Sequence, residues 1–291
     1  MTPNQIADEI EKLIISVTEK YSEKVKLFQN YLYNQALKIV KNLELDPEGY
    51  IKQSASNRKI LADAESIIDD ILFGESLANT VSGVISVIPK VDKLNISYFQ
   101  TVDEYFNENR NFIKSIQQRT IESIESNLLS DGLKAQVRNP IVEILNINVN
   151  SGGQFSGFLN QLQNFIKGTP EVDGRVLSYS RGFLRDALFQ YSRTYQEAIT
   201  ADLGLEFYSY SGGLIDTSRD FCIARAGKVF HRKEIESWAA QNWVGKMRGT
   251  TESSIFAYCG GYGCTHSLIP IAKSAVPKVV LAEAKANGYI K

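Results

Sequence analysis

The sequence predicts a mainly α protein, in which an elongated body of long helices is followed by a small α+β module. Up to residue 203, apolar residues recur at helical spacing, close to 3.6 residues per turn. After Gly204 the spacing changes to the alternation that is typical of a strand. All three cysteines, both histidines and both tryptophans lie between residues 212 and 271. We therefore predict two domains, an α-helical body at 1–203 and a Cys/His-containing C-terminal module at 204–291.

The first predicted helix runs from Asn4 to about Leu43, since one face is apolar and no glycine or proline interrupts it. It ends at the turn-forming residues 46–49 (Asp-Pro-Glu-Gly). Further helices are predicted over Ser56–Phe73, Glu75–Ile88, Ile96–Leu128, Leu133–Leu145, Phe155–Ile166 and Arg175–Leu203. Because a helix of forty residues is about 60 Å long, an elongated body is expected.

Prolines and glycines mark the predicted ends of these helices. The third helix is expected to stop before Pro89, and Pro140 is expected to kink or break the fifth. The polar run Asn146–Gly153 is interpreted as a connector. These positions divide the body into separate helices.

The C-terminal module is predicted to contain short elements. Leu205–Tyr210 alternates and is rich in aromatic residues, which predicts a strand. Two helical segments are predicted, at His231–Asn242 and Pro277–Asn287. The glycines at 260, 261 and 263 favour a tight turn that brings Cys264 inward. Trp238 and Trp243 are expected to anchor the core of the module.

Composition places the chain among globular proteins. It has 43% hydrophobic and 22% charged residues, with a net charge of −1. From Arg219 onward there are eleven basic and five acidic residues, a balance of +6, against −7 for the preceding residues. This balance is interpreted as an ordinary solvated surface, with contact to a polyanion as the alternative.

Two features point to an intracellular protein. Three cysteines without framework spacing favour a reducing compartment, and Met1–Lys12 does not have the pattern of a signal peptide. The longest apolar-leaning run, Ala78–Ile88, is too short to span a bilayer, so no membrane partner is expected.

The cysteines and histidines are the candidate metal ligands. Thiolate and imidazole groups hold structural Zn²⁺ in tetrahedral sites, and the proposed set is Cys222, Cys259, Cys264 and His266, with His231 as a possible substitute. The spacings fit no standard zinc finger. The alternative is three buried cysteines that act as small hydrophobes, with hydrogen-bonded histidines. The expected cofactor is therefore none, or a structural Zn²⁺.

Catalytic chemistry is the weaker interpretation of the same residues. Cys222 or Cys264, with a histidine and Asp216, has the right types for a thiol nucleophile, a base and an orienting carboxylate. The sequence contains no HExxH or GxSxG pattern, and its glycine-rich stretch matches neither GxxxxGK[ST] nor GxGxxG. No catalytic or cofactor-binding residue is predicted. Asp216 and Arg219 are interpreted as an ion pair or a helix cap.

The closed-module hypothesis makes a geometric prediction. Closing a loop of about forty residues costs entropy that only converging contacts offset. Cys222, near the start of the module, should therefore lie within ~10 Å of Cys264 and His266, near its end.

A series of ordered motifs follows Arg193-Thr194 and the aromatic strand. They are D-T-S-R-D-F-C (216–222), G-K-V-F (227–230), E-I-E-S-W (234–238), W-V-G-K (243–246) and G-G-Y-G-C-T-H-S-L-I-P (260–270). This series resembles the minor head protein family of tailed phages, the Mu F-like head morphogenesis proteins. The matching positions are Asp216, Arg219, Cys222, Gly227, Lys228, Gly260, Gly261, Cys264, His266 and Pro270. Two departures are Gly263, where relatives more often carry Asn, and the C-x-H pattern, where other branches end in C-R-C.

The resemblance implies a non-enzymatic structural phage protein. It implies a minor capsid or head morphogenesis component at the portal vertex or in the capsid interior, present in the host bacterial cytoplasm during assembly. Its implied partners are the portal and major capsid proteins, and in some members genomic DNA. The alternatives are a Cys/His-dependent enzyme or toxin-like transferase, and a DNA-binding packaging or ejection protein.

Overall fold

The computed structural model describes residues 1–104, 106 and 111–291. Helices account for 67% of the chain, and they are followed by a small antiparallel sheet near the C-terminus, so the predicted fold class is confirmed. The helices before residue 203 are α1 (Pro3–Val40), α2 (Ala55–Leu72), α3 (Glu75–Ile85), α4 (Ile88–Val102), α5 (Asn111–Leu129), α6 (Asp131–Leu133), α7 (Asn139–Ser151), α8 (Phe155–Lys167) and α9 (Arg175–Asp202).

The predicted helix Ile96–Leu128 is wrong in its continuity and its start. α4 begins at Ile88 and ends at Val102, because Asp103 has an extended backbone with φ −138° and ψ 111°. Residues 105 and 107–110 of the predicted span lie outside the described residues. Pro89 stands in the first turn of α4, where its missing N–H costs no helical hydrogen bond.

The predicted connector Asn146–Gly153 is also wrong, because α7 continues to Ser151. The side-chain amides of Asn146 and Asn148 donate to the carbonyls of Val142 and Ile144, at 3.0 and 2.8 Å. These local bonds satisfy the polar side chains without leaving the helix. Pro140 lies at the start of α7, directly after the π-helical turn Lys134–Arg138 that joins it to α6.

The C-terminal sheet has three strands in the order β2-β1-β3, with both pairs antiparallel. The strands are β1 (Phe207–Ser211), β2 (Val229–His231) and β3 (Ser267–Ile271). The short helices are α10 (Asp220–Ile223), α11 (Arg232–Ser237), α12 (Ile255–Tyr258) and α13 (Lys278–Ala286), with 3-10 turns at Trp238–Ala240 and Lys273–Ala275. Every named strand of the described residues therefore follows Gly204, as predicted.

The chain divides into two compact units. The first comprises Met1–Ser16, Ser86–Thr120 and Arg185–Lys291, and the second comprises Val17–Ile85 and Ile121–Leu184. The sheet, the cysteines and the histidines all belong to the first unit. The boundary that we predicted between residues 203 and 204 stays a prediction.

Aromatic side chains fill the core around the sheet in the first unit. Phe221 stacks on Trp243 with ring centroids 4.0 Å apart, and Trp238 contacts Phe230 edge to face at 4.8 Å. Trp238 is buried, and the Nε1 of Trp243 donates to the carbonyl of Gly260 at 2.9 Å. The predicted role as a core anchor is confirmed for Trp238, and Trp243 is partly buried and packs against the same core.

Polar contacts join α4 and α9 to the sheet within the same unit. The Tyr98 hydroxyl donates to the carbonyl of Pro270 in β3. Asn95 is fully buried, and its amide oxygen accepts from Gln196 at 2.8 Å. The hydroxyl of Tyr208 in β1 donates to Glu197 at 2.8 Å. The sheet therefore rests on helical residues that precede Gly204.

The second unit is helical and contains a forked ion pair. Arg138 donates through Nε and Nη2 to the two carboxylate oxygens of Asp69, at 2.8 and 2.9 Å. Gln29 accepts from the backbone N–H of Leu177 at 2.7 Å, which satisfies a donor in the first turn of α9. These bonds tie helices together that are distant in sequence.

One stretch of the described residues is long and apolar enough, by length and composition alone, to cross a membrane. It lies within Ala55–Val102 and has a mean hydropathy of 1.5 over 18 residues, of which 33% are buried. Turns at residues 73–74 and 86–87 interrupt it. The core helices of soluble proteins pass the same test, so this stretch is weak evidence for a membrane.

Candidate functional site

The candidate site lies where a glycine-rich turn enters β3. Gly261 and Gly263 have positive φ values of 97° and 68°, which favour residues without a Cβ. The N–H of Gly263 donates to Asp186 on α9 at 2.8 Å, which fixes the turn. Cys264 and His266 follow immediately and are both buried. The turn therefore brings Cys264 inward, as the sequence predicts.

Cys222, Cys264 and His266 form one group. The Sγ atoms of Cys222 and Cys264 are 3.9 Å apart, and the Sγ of Cys264 is 3.8 Å from the Nδ1 of His266. All three potential ligand atoms lie within 4.8 Å of one another. The predicted proximity of Cys222 to Cys264 and His266 is confirmed, with distances well inside the ~10 Å limit.

Cys259 borders this group but is not one of the three. Its side chain is 1% exposed and lies close enough to Cys264 and Tyr210 to interact with both. Among the described residues it is the one non-glycine with a positive φ, at 49°. Such a backbone costs about 1–3 kcal/mol and persists only where the surroundings impose it.

The structure places His231 in a different environment. It is the N-cap of α11, where its Nδ1 accepts from the N–H of Lys233 at 3.2 Å. Its ring lies between Phe207 and Tyr289, with centroids at 5.0 and 5.1 Å. His231 is therefore not brought to the cysteines, and the predicted alternative in which it replaces one of the four ligands gains no support from the geometry.

Two glycines lie against Cys222, Cys264 and His266, and a side chain at either position would clash with these residues. A Cβ on Gly260 would lie 2.6 Å from the Sγ of Cys222 and 2.7 Å from that of Cys264. A Cβ on Gly212 would lie 2.9 Å from the Cα of His266. Sequence reasoning did not single out Gly212, because a glycine after a strand is usual at a turn.

Arg193 supports the same segment from α9. Its side chain is 3% exposed, and its guanidinium donates to the carbonyls of Cys264, His266 and Ala257 at 2.6, 2.5 and 3.2 Å. The planar guanidinium of an arginine carries several N–H donors in fixed directions and can bind several carbonyls at once. The ammonium of a lysine cannot reproduce this arrangement. The sequence marked Arg193 only as part of a motif, since nothing local shows that it reaches a segment some seventy residues away.

Arg219 contacts the preceding turn. It donates to the carbonyls of Gly260 and Tyr262 rather than pairing with Asp216, which is exposed. The predicted ion pair and the cap by Asp216 are therefore not what the structure shows, because the N-cap residue of α10 is Arg219 itself. Two carbonyls of the turn are the partners that its guanidinium satisfies.

The electrostatics of the group single out Cys264. Hydrogen bonds from Cys222 and Cys259 hold the pKa of Cys264 well below its ordinary value, and His266 and the charge of Arg193 act in the same direction. The hydrogen bond to Cys264, followed by burial, raises the pKa of Cys222. Burial raises the pKa of Cys259. A thiolate in this group is therefore best held on Cys264.

The other motif positions lie in the sheet and its turns. Gly227 has φ 76° and donates to the carbonyl of Tyr210 at 2.9 Å, and Lys228 next to it is exposed. Pro270 lies in β3, opposite Tyr208. The hydroxyl of Tyr210, which the sequence did not mark as a site residue, donates to the Sγ of Cys222 at 3.3 Å.

A nucleic-acid surface on the C-terminal module would draw on Arg225, Lys228, Arg232, Lys233, Lys246 and Arg248, and several of these cations are engaged within the chain. Arg225 lies over the rings of Phe221 and Trp238, with its guanidinium carbon 3.8 and 4.5 Å from their centroids. Arg232 pairs with Glu197 at 2.5 Å. The ammonium of Lys246 donates to two backbone carbonyls at 2.6 and 2.7 Å. These side chains have structural partners, whereas phosphate-binding cations need to be available to the ligand.

No protein-family model, curated protein or solved structure matches this chain. The resemblance in the motif series remains an expectation.

Proposed function

We propose that the chain is a non-enzymatic structural protein of a tailed phage, a minor head component at the portal vertex or in the capsid interior. The phage assignment is supported by the motif series between Arg193 and Pro270. The observation that carries the structural role is that motif residues hold one another in place. Arg193 and Arg219 bind backbone carbonyls, and Cys222, Cys264 and His266 are buried together.

The enzyme alternative requires a thiol that a substrate can reach. Cys222, Cys259 and Cys264 are 2%, 1% and 4% exposed, so the surrounding core covers all three sulfurs. A buried thiol with structural partners is typical of a fold-stabilising residue rather than a nucleophile. The geometry therefore favours the structural role.

The DNA-binding alternative rests on the basic balance of the C-terminal residues. Arg225, Arg232 and Lys246 are three of the basic residues that could contact DNA, and each already contacts another group of the chain. No single contact in the described residues favours a nucleic-acid partner over a protein partner. Portal and capsid proteins are therefore the proposed partners.

The test uses the particles made by the genome that encodes this chain. Procapsids and virions are purified, and the copy number of the chain per particle is measured by quantitative mass spectrometry. Cross-linking then identifies its neighbours. We expect a fixed, low copy number relative to the major capsid protein, and cross-links to the portal.

A non-structural protein of the same genome gives the background of carry-over in the same samples. A copy number at that background in both procapsids and virions would refute the proposal. If the protein turned over a substrate, and Cys264→Ser abolished that turnover while the fold was retained, the enzyme alternative would replace the proposed structural role.

A further inference from the structure

We infer that Cys222, Cys259, Cys264 and His266 bind one structural Zn²⁺ in a buried tetrahedral site. This inference stands apart from the proposed role in phage heads. It rests on distances, on the surroundings of the four side chains and on the space left by Gly260.

Two of the distances match edges of a zinc tetrahedron. With Zn–S bonds of about 2.3 Å and Zn–N bonds of about 2.0 Å, two sulfurs lie about 3.8 Å apart, and a sulfur and a nitrogen about 3.5 Å apart. The observed separations are 3.9 Å between Cys222 and Cys264 and 3.8 Å between Cys264 and the Nδ1 of His266. A disulfide would need about 2.05 Å, so the two sulfurs are at the separation of ligands rather than of bonded atoms.

Cys259 supplies the fourth ligand. Its side chain is 1% exposed and lies close enough to Cys264 and Tyr210 to interact with both, and these are the two groups that Cys222 contacts. A closed structural zinc site requires four protein ligands, and these four residues are the chemically suitable ones around Cys264.

The surroundings suit a metal–thiolate centre. Zn²⁺ with three thiolates and a neutral imidazole carries a net charge of −1, and the buried guanidinium of Arg193 lies next to it on the carbonyls of Cys264 and His266. The Nδ1 of His266 is the ring nitrogen that faces Cys264, at 3.8 Å, so Nδ1 is the coordinating atom. Tyr210 donates to a ligand sulfur from the surrounding shell.

The first measurement uses the full wild-type chain. Protein that is expressed with added zinc and purified under reducing conditions without chelators is analysed for metal. We expect about one zinc per chain and a lower melting temperature after chelation, because binding energy at such a site is folding energy. Replacement by Co²⁺ should give the visible bands of tetrahedral cobalt and thiolate charge-transfer intensity that corresponds to three sulfurs.

Variants then assign the ligands. Cys264→Ser and His266→Ala should lose the stoichiometric metal, and Cys259→Ser should lower the cobalt charge-transfer intensity from three thiolates to two. His231→Asn is the matched control, since it changes the other buried histidine but keeps a capping side chain, and it should keep the metal.

The wild-type result stands even if a variant fails to fold. Folded, reduced wild-type protein that takes up neither Zn²⁺ nor Co²⁺ in stoichiometric amount would overturn the inference. An octahedral cobalt spectrum would do the same, and a two-thiolate intensity in the wild type would remove Cys259 from the site.

Discussion

At the scale of single residues, Gly260 is a position where one added carbon atom should have a large effect. An added Cβ would stand 2.6 and 2.7 Å from two buried sulfurs, closer than atoms in contact approach. Gly260→Ala should therefore lower the free energy of unfolding by about 1–3 kcal/mol, the usual cost of overpacking a core. Chemical denaturation measures the difference.

Gly213→Ala is the matched control for this variant. No atom lies within 4 Å of the position that its Cβ would take, and its φ is not in the left-handed region. Its stability should stay within about 0.5 kcal/mol of the wild type. Equal losses in the two variants would show that the space at Gly260 does not matter.

His231 links the stability of the first unit to pH. Burial lowers its pKa below the ordinary value of 6.5, with Lys233 and Arg232 acting in the same direction and Glu206 opposing them. As the pH falls below 6.5, the unfolded chain takes up a proton that the folded chain does not, so stability falls. Above that value both states are neutral, and this contribution no longer changes.

We therefore expect His231→Asn to lose less stability than the wild type between about pH 7.5 and pH 5.5. Asparagine keeps an N-cap acceptor for α11 but does not titrate. The contribution of one histidine is at most about 1.4 kcal/mol per pH unit. Unfolding free energies at both pH values test this, and the nearby Glu234, whose pKa burial raises, is common to both proteins. Identical pH slopes would contradict the assignment.

At the scale of elements, α2 shows how a single cap defines a helix end. Ser54 has an extended backbone and its side chain accepts from the N–H of Asn57 at 3.1 Å. Ser54→Ala should cost about 1 kcal/mol of stability. Ser56→Ala, an exposed change in the first turn of the same helix, should be neutral or slightly stabilising because alanine favours helix. Urea midpoints compare the two, and a Ser56→Ala loss as large as that of Ser54→Ala would contradict the cap.

Helices were predictable where a long apolar face repeats, as in α1, α8 and α9. The breaks were less predictable. The end of α4 at Val102 has no proline or glycine to announce it, and α7 continues through asparagines that bond to their own helix. In both places the local residue types were compatible with two conformations.

The residue types of the candidate site could be predicted from the sequence, but the contacts that each residue makes could not. Spacing alone predicted that Cys222 would approach Cys264 and His266, because a closed module needs converging ends. The sequence favoured His266, which lies two residues from Cys264, and kept His231 as a possible substitute. The strand pairing that places His231 opposite Phe207 is what separates them.

At the scale of the whole molecule, the structure makes a prediction about the boundary at residue 204. A fragment of residues 204–291 lacks Arg193, whose guanidinium binds the carbonyls of Cys264 and His266, and Tyr98, whose hydroxyl binds Pro270. Several buried carbonyls would then lose their donors, at about 1–3 kcal/mol each. We expect this fragment to show no cooperative unfolding and little dispersion in its NMR spectrum.

The full chain is the control for that experiment and should unfold cooperatively in the same buffer. A well-dispersed fragment spectrum, with zinc supplied, would show that the module folds on its own and that the helical contacts are dispensable.

The order of the strands has a consequence for synthesis on the ribosome. β1 is the central strand, yet its partner β3 follows about 55 residues later in the chain. At about 5–20 residues per second, the nascent chain waits roughly 3–11 s with one edge of β1 unpaired. That edge carries Phe207, Tyr208 and Tyr210, so the incomplete sheet exposes aromatic side chains and unpaired backbone groups to solvent. Translation speed between residues 212 and 266 is therefore a quantity on which the yield of soluble protein should depend.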